Sequence, residues 1–146
     1  MKWQIFSIGK PSLSYAKQGI AEYQKRLRRY SPVEISHGKE AGKEKNSQHL
    51  LNASEGYLRI ALDERGDLLT TREIADQVSD WQMDGVKKVG LIIGGADGHS
   101  EELRAQADHV WSLSKMTLQH ELALVVLLEQ IYRVHTLLKG EPYHRD

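Results

Sequence analysis

Cysteine is absent from the 146 residues. Disulfide scaffolds, thiolate metal sites and cysteine nucleophiles are excluded with it. A chain with no use for an oxidising compartment is expected to be cytoplasmic. Proline occurs only three times, so little interrupts regular structure. Long apolar runs are missing as well. The longest, Leu122 to Leu128, falls far below the roughly 20 residues that a bilayer crossing needs. The start, Met1 to Ile8, is too short and too polar for a signal peptide. Net charge is also missing, because 20 basic residues balance 20 acidic ones. The length predicts a single domain over 1–146, with a core that needs no covalent staples.

The balance conceals an asymmetry. Residues 1–50 carry a net charge of +6 and residues 51–146 carry −6. A basic segment beside an acidic one suggests a surface that faces a polyanion, although a solvated face with scattered charge reads the same way.

Strands and helices alternate along the sequence. Lys2–Ile8 reads as a strand bounded by Gly9 and Pro11. Ser12 or Ser14 is placed to cap a helix that runs to about Arg29, with Ala16, Ile20, Tyr23, Leu27 and Tyr30 on one face. Lys17, Lys25 and Arg28 gather on another face. Val33–Ser36 is a short strand, His37–Asn46 a loop, and Ser47 to about Glu55 a short helix. A third strand, Tyr57–Leu62, is expected to end at Asp63-Glu64-Arg65-Gly66. Thr71 opens a helix that stops near Gly85, followed by a buried strand, Val89–Ile93. Ser100 caps a helix to about Ala107, and His109–Leu113 forms a fifth strand. The last helix runs from about Glu121 to Lys139. It is apolar all round over Leu122–Leu128, which predicts that a second subunit covers part of it. The alternation predicts an α/β fold with a parallel sheet, whose ligands sit beyond the carboxyl ends of the strands.

Three segments carry candidate chemistry. Gly94-Gly95-Ala96-Asp97-Gly98 follows a strand and precedes a helix. It suits either a ligand approached by bare backbone or a plain tight turn. It is neither a dinucleotide fingerprint nor a P-loop. Leu113-Ser114-Lys115-Met116-Thr117-Leu118 mixes hydroxyls with apolar groups. It fits a cofactor with a flat ring and a polar tail, or an ordinary connection that joins the core. The tail from Glu141 to Asp146 holds a phenol, an imidazole and a guanidinium, unless it frays as termini do. The seven histidines show no metal-ligand spacing, so no metal is expected.

Taken together, these segments resemble a known family over essentially the whole chain. The residues that carry the likeness begin with Ile8-Gly9-Lys10, Ala21-Glu22-Tyr23-x-Lys25-Arg26 and Leu62-Asp63-x-x-Gly66. Ile92-Ile93-Gly94-Gly95-x-x-Gly98, Leu113 to Leu118, Glu129-Gln130-Ile131-Tyr132-Arg133 and Pro142-Tyr143-His144-Arg145 complete the set. The chain resembles the small SPOUT-class methyltransferases of large-subunit ribosomal RNA, the RlmH family. The resemblance implies a carboxyl-terminal trefoil knot, a homodimer, and S-adenosylmethionine as methyl donor. It implies methylation at N3 of a pseudouridine in 23S rRNA on the assembled 70S ribosome; the histidine spacing and the short apolar runs add the expectation of no metal and no membrane.

By the same resemblance, cofactor contacts come from Leu62, Gly94, Leu113, Ser114, Lys115, Met116, Thr117 and Leu118. The catalytic candidates are Tyr143, His144 and Arg145 in the tail, together with Arg133. Arg133 also reads as a structural partner of Glu129. Two positions depart from the family: Gln119 stands where it has proline, and Leu124 where it has arginine. Loss of that arginine motivates a rival reading, a knotted rRNA-binding protein without turnover. The glycine loop motivates a third, a small phosphate- or nucleotide-binding protein.

Overall fold

A computed structural model describes residues 1–145, so Asp146 of the tail lies outside the described residues. Five parallel strands form one sheet in the order β2-β1-β4-β3-β5. They are β1 (Lys2–Ile8), β2 (Val33–Gly38), β3 (Leu58–Leu68), β4 (Lys88–Ile93) and β5 (His109–Ser112). The helices are α1 (Ser14–Leu27), α2 (Lys43–Ala53), α3 (Thr71–Met83), α4 (Glu101–Gln106) and α5 (His120–Leu138). The predicted α/β class and parallel sheet are found.

Side chains alternate across a strand, and β1 shows how this builds two cores. Trp3 and Ile5 pack with Ile20 and Leu27 of α1, Val78 and Trp81 of α3, and Leu127, Leu128 and Ile131 of α5. Phe6 and Ile8 face the other way, onto Leu50 and Leu51 of α2 and Leu103 of α4. Helix α5 packs against both α1 and α3. The close approach to α1 depends on Gly19, where a Cβ would lie 3.0 Å from Val125. This packing accounts within one chain for much of the apolar girth that suggested a covering subunit. Leu122 and Val126 remain only half-buried.

Several boundaries differ from the sequence reading. Neither Ser12 nor Ser14 caps α1. The Glu121 carboxylate, from the far end of the chain, accepts instead from the backbone N–H groups of Ser12 at 2.6 Å and Leu13 at 3.0 Å. Those bonds, the Leu13 one foremost, outweigh burial and hold the Glu121 carboxyl below the usual carboxylate range. Helix α2 starts four residues earlier than expected, at Lys43. Strand β3 does not end at Leu62. It continues to Leu68, with a register break against β5 between Leu62 and Asp67. Thr70 and Glu73 form a reciprocal capping box at the start of α3.

His135 is a core residue, 7% exposed, and its Nε2 accepts from Trp3 Nε1 at 2.9 Å. Burial, reinforced by the N-terminal ammonium and Lys139, pushes its pKa down to about 4. The unfolded chain takes up this proton near pH 6.5, whereas the folded protein does not until about pH 4. Stability is therefore full above pH 6.5 and falls as the pH drops towards 4. In urea unfolding, His135→Gln should lose this component, so that its stability relative to the parent improves by about 3 kcal/mol between pH 6.5 and 4. A constant difference across that range would contradict the assignment.

Candidate functional site

Parallel pairing brings the carboxyl ends of β3, β4 and β5 side by side. Leu62 pairs with Ile93 on one edge of β3 and with Trp111 on the other. The segments that follow enclose a cleft of about 490 Å³. The first is residues 63–66, which leave the β3 ladder as an extended bulge. Gly66 permits this, because a Cβ there would strike the Val110 carbonyl of β5. The second is the glycine loop 94–98. The third is the connection from β5 to α5.

The cleft brings together Leu62, Gly94, Leu113 and Ser114, and also Met116, Thr117 and Leu118. Lys115 is exposed and does not line it. Thr117 Oγ1 donates to Glu64 Oε2 at 2.8 Å and joins two of the loops across the mouth. The Asp63 carboxyl is held below the usual range, because hydrogen bonds from Arg65 overcome the effect of burial. Gln119 is the N-cap of α5, accepting from the N–H groups of Glu121 and Leu122 at 2.9 and 3.0 Å. Gln119 therefore fixes the helix start beside the cleft.

Other cleft-building residues gave little sequence signal. Glu40, in the loop before α2, reaches Gly95 so closely that a Cβ on that glycine would strike its carboxylate. Asn46, 2% exposed, donates to Glu40 Oε2 at 2.6 Å and accepts from Ala41 N at 2.8 Å. His99 is buried against Gly94. Its ring belongs to the cleft wall, whereas the sequence offered it only as one of seven scattered histidines.

Residues 141–145 of the tail form a separate cluster with the end of α5. The Arg133 guanidinium meets Glu129 Oε2 through Nη2 at 2.8 Å and Nε at 3.1 Å. Tyr143 donates its hydroxyl to the same oxygen at 2.8 Å and lies under the guanidinium, 4.6 Å from ring centre to charge. Burial and the Glu129 bond push the Tyr143 phenol well above its ordinary pKa. His144 Nδ1 is 3.3 Å from Arg133 Nη1. Arg145 is exposed. Tyr30 of α1 donates to Glu141 Oε2 at 2.6 Å and anchors the tail. None of Arg133, Tyr143, His144 and Arg145 lines the cleft. Along α5, His120 at the cleft and Arg133 are separated by about 20 Å of helix rise.

Leu124 is 2% exposed and packs in the core. Burying a leucine there contributes about 2 kcal/mol. Among the described residues, no group of three or more histidines or carboxylates is placed to hold a metal ion. No helix among the described residues is long and apolar enough to cross a membrane.

The family model described as "Predicted SPOUT methyltransferase" matches residues 1–144. The chain belongs to the SPOUT methyltransferase family. It is 44% identical over 145 residues to ribosomal RNA large subunit methyltransferase H of Thermus thermophilus, covering 99% of each chain. The protein of the same name from Deinococcus radiodurans is 39% identical over 145 residues, again with 99% of each chain covered. The one from Geobacter metallireducens is 40% identical over 154 residues, covering all of both. Likeness at this level over full length places the chain in the RlmH group of SPOUT proteins. Among solved structures, a probable methylase family protein from Haemophilus influenzae superposes with a TM-score of 0.62 at 11% identity. The match covers 99% of this chain and 70% of the other. The tRNA (m1G37) methyltransferase of Aquifex aeolicus gives 0.58 at 13% identity, with 100% and 76% covered. These two likenesses concern the fold of SPOUT proteins.

The Glu40–Asn46 clamp yields a direct test. Asn46→Ala leaves the Ala41 N–H without its partner and removes one hydrogen bond from Glu40 Oε2, which keeps the Gly42 N–H at 2.9 Å. It should cost about 1–3 kcal/mol in urea unfolding. A loss below 0.5 kcal/mol, taken as the rough scale of surface substitutions, would contradict the role given to this bond.

Proposed function

We propose that the protein transfers a methyl group from S-adenosylmethionine to N3 of a pseudouridine in 23S rRNA on the assembled ribosome, and that it works as a homodimer with a carboxyl-terminal trefoil knot. The observation that carries this reading is the convergence of the three strand-end segments on one cleft, in a chain that matches RlmH proteins end to end. The path from β4 past β3 to β5, then back through α5 between α1 and α3, is compatible with a knot. The cleft suits a nucleoside cofactor. It has a bare glycine floor at Gly94 and Gly95, a polar rim at Asp63 and Ser114, and apolar walls at Leu62 and Leu118. When bound, S-adenosylmethionine supplies an electrophilic methyl on a sulfonium.

In this reading Gly94 and the 113–118 segment hold the cofactor, and the tail cluster acts on the base. One chain keeps the two about 20 Å apart. A second subunit, placing its tail over the first subunit's cleft, would close that distance. An arginine cannot accept a hydrogen bond, so His144 Nδ1 takes the Arg133 contact with its lone pair. With Nδ1 accepting, the ring's N–H is Nε2. It serves as a donor to the pyrimidine oxygens as N3 gives its proton to solvent. Tyr143, held neutral, and Glu129 fix the arginine beside it. Arg145, together with Lys17, Lys25 and Arg28 on exposed faces of the basic half, would contact rRNA phosphates and set position rather than sequence.

Incubation with undermethylated ribosomes, read by mass spectrometry of rRNA fragments, tests the reading. The expected result is one added methyl on a pseudouridine. His144→Ala should slow the transfer roughly 100-fold while leaving calorimetric affinity for S-adenosylhomocysteine unchanged. Cofactor binding without methylation would instead favour the rRNA-binding protein suggested by Leu124.

A further inference from the structure

The rim of the sheet carries a second concavity. A hollow of about 290 Å³ opens where β1 and β2 end against α1. Ile20 and Ala21 of α1 line it, together with Lys10, Lys17 and His37. Separate elements set these three side chains. His37 pairs in register with Ser7, and the pairing continues beyond it, with the Gly9 N–H donating to the Gly38 carbonyl at 2.7 Å. Gly9 then turns the chain with a φ of +79°, and Lys10 follows. Lys17 stands one turn before Ala21 on α1, whose start is held by Glu121.

Charge in the hollow is one-sided. Lys10 and Lys17 are exposed, and among the described residues neither forms an ion pair. No carboxylate lines the hollow. Burial, opposed by the Gly9 carbonyl and reinforced by Lys10, lowers the pKa of His37. The Lys10 charge is therefore felt inside the hollow, with nothing of opposite sign there to balance it. An anion would supply the missing charge.

The position of the hollow narrows the kind of anion. Ser7 of β1 pairs with His37 on one edge and with Ile93 on the other, and Ile93 lines the cleft. Two strand spacings, about 10 Å, separate His37 from Ile93. Pro11 of the hollow leads to Ser12, whose N–H is bound by Glu121 in the first turn of α5, next to the cleft residues Gln119 and His120. A polymer with a base in the cleft can thus reach the hollow with its backbone.

We propose that Lys10 and Lys17 together hold one backbone phosphate of the RNA strand whose base enters the cleft, a role that rests on the function proposed above. Lysine ammonium groups bind phosphate as point charges and need no planar match. The contact positions the strand and reads no sequence. Lys25 and Arg28, further along α1, do not line the hollow.

Binding of the full chain to undermethylated ribosomes, and to a 23S rRNA fragment carrying the target pseudouridine, tests this over a range of salt concentrations. The double variant Lys10→Gln/Lys17→Gln should bind both about tenfold more weakly. Its slope of log affinity against log salt should be shallower by about 0.7–0.9, the share of one phosphate. Lys87→Gln, at the opposite end of the sheet beside Lys2, should change neither quantity. An unaltered slope in the double variant would overturn the proposal, and so would an equal loss in Lys87→Gln. Ethylation interference supplies a second readout. One ethylated phosphate near the target should exclude the wild type from the fragment but not the double variant, and identical patterns would overturn the proposal. Weaker binding to ribosomes with undiminished binding to the fragment would also overturn it, pointing to an acidic protein partner. Both lysines are exposed, so the double variant should melt with the wild type, and a marked drop would make them structural residues instead. If the wild type neither binds S-adenosylhomocysteine nor methylates ribosomes, the function proposed above fails and this role with it. Methylation by the wild type, with a salt slope insensitive to residues 10 and 17, removes this role alone.

Discussion

Strand β3 is hydrogen-bonded to β4 along one edge and to β5 along the other, and the cleft depends on that double pairing. In a parallel sheet all strands end on the same side, so each pairing brings another strand-end segment to the same rim. The break in β3 adds a further element. Four residues leave the ladder, place Asp63, Glu64 and Arg65 in the cleft wall, and rejoin β5 at Asp67. Gly66 is needed for this, since any side chain would strike β5.

Helix α5 connects this rim to the rest of the molecule. Its first turn carries Gln119, His120 and Ala123 at the cleft, and Glu121 beneath α1. Its last turns carry Glu129 and Arg133, onto which the tail folds. The basic first half meets the tail at the end of α1, where Arg29 lies 3.6 Å from Glu141 and Arg26 stacks on Tyr132. The charge asymmetry of the sequence is therefore a spatial one. The acidic half builds the cleft, while arginines of the basic half surround the tail cluster.

Much of this was legible in the residues. The strand–helix alternation and the glycine punctuation located all five strands, because hydrophobic periodicity is a local signal. The resemblance picked out the cleft segments in advance. The parts that stayed hidden depend on contacts between distant residues. Glu121 satisfying the N–H groups of Ser12 and Leu13 spans more than one hundred positions, and no local pattern announces it. Asp63-Glu64-Arg65-Gly66 reads as a turn, yet β5 pairing carries the strand beyond it. Glu40 and Asn46 look like loop and surface residues until the glycine loop is placed against them. The burial of Leu124 in the core shared by α1, α3 and α5 is likewise set by packing between distant segments.

The central claim is that the cleft of one subunit works with the tail of another. Co-expression of two separately impaired chains tests it: Gly94→Val, which places side-chain atoms against His99 in the cleft wall, and His144→Ala, which weakens the tail. Mixed dimers would contain one site with an intact cleft and an intact tail. The account predicts recovery of about a quarter of wild-type methyl transfer on ribosomes, since half the dimers are mixed and each has one working site. No recovery beyond that of the two variants alone, in a sample shown to contain mixed dimers, would contradict it.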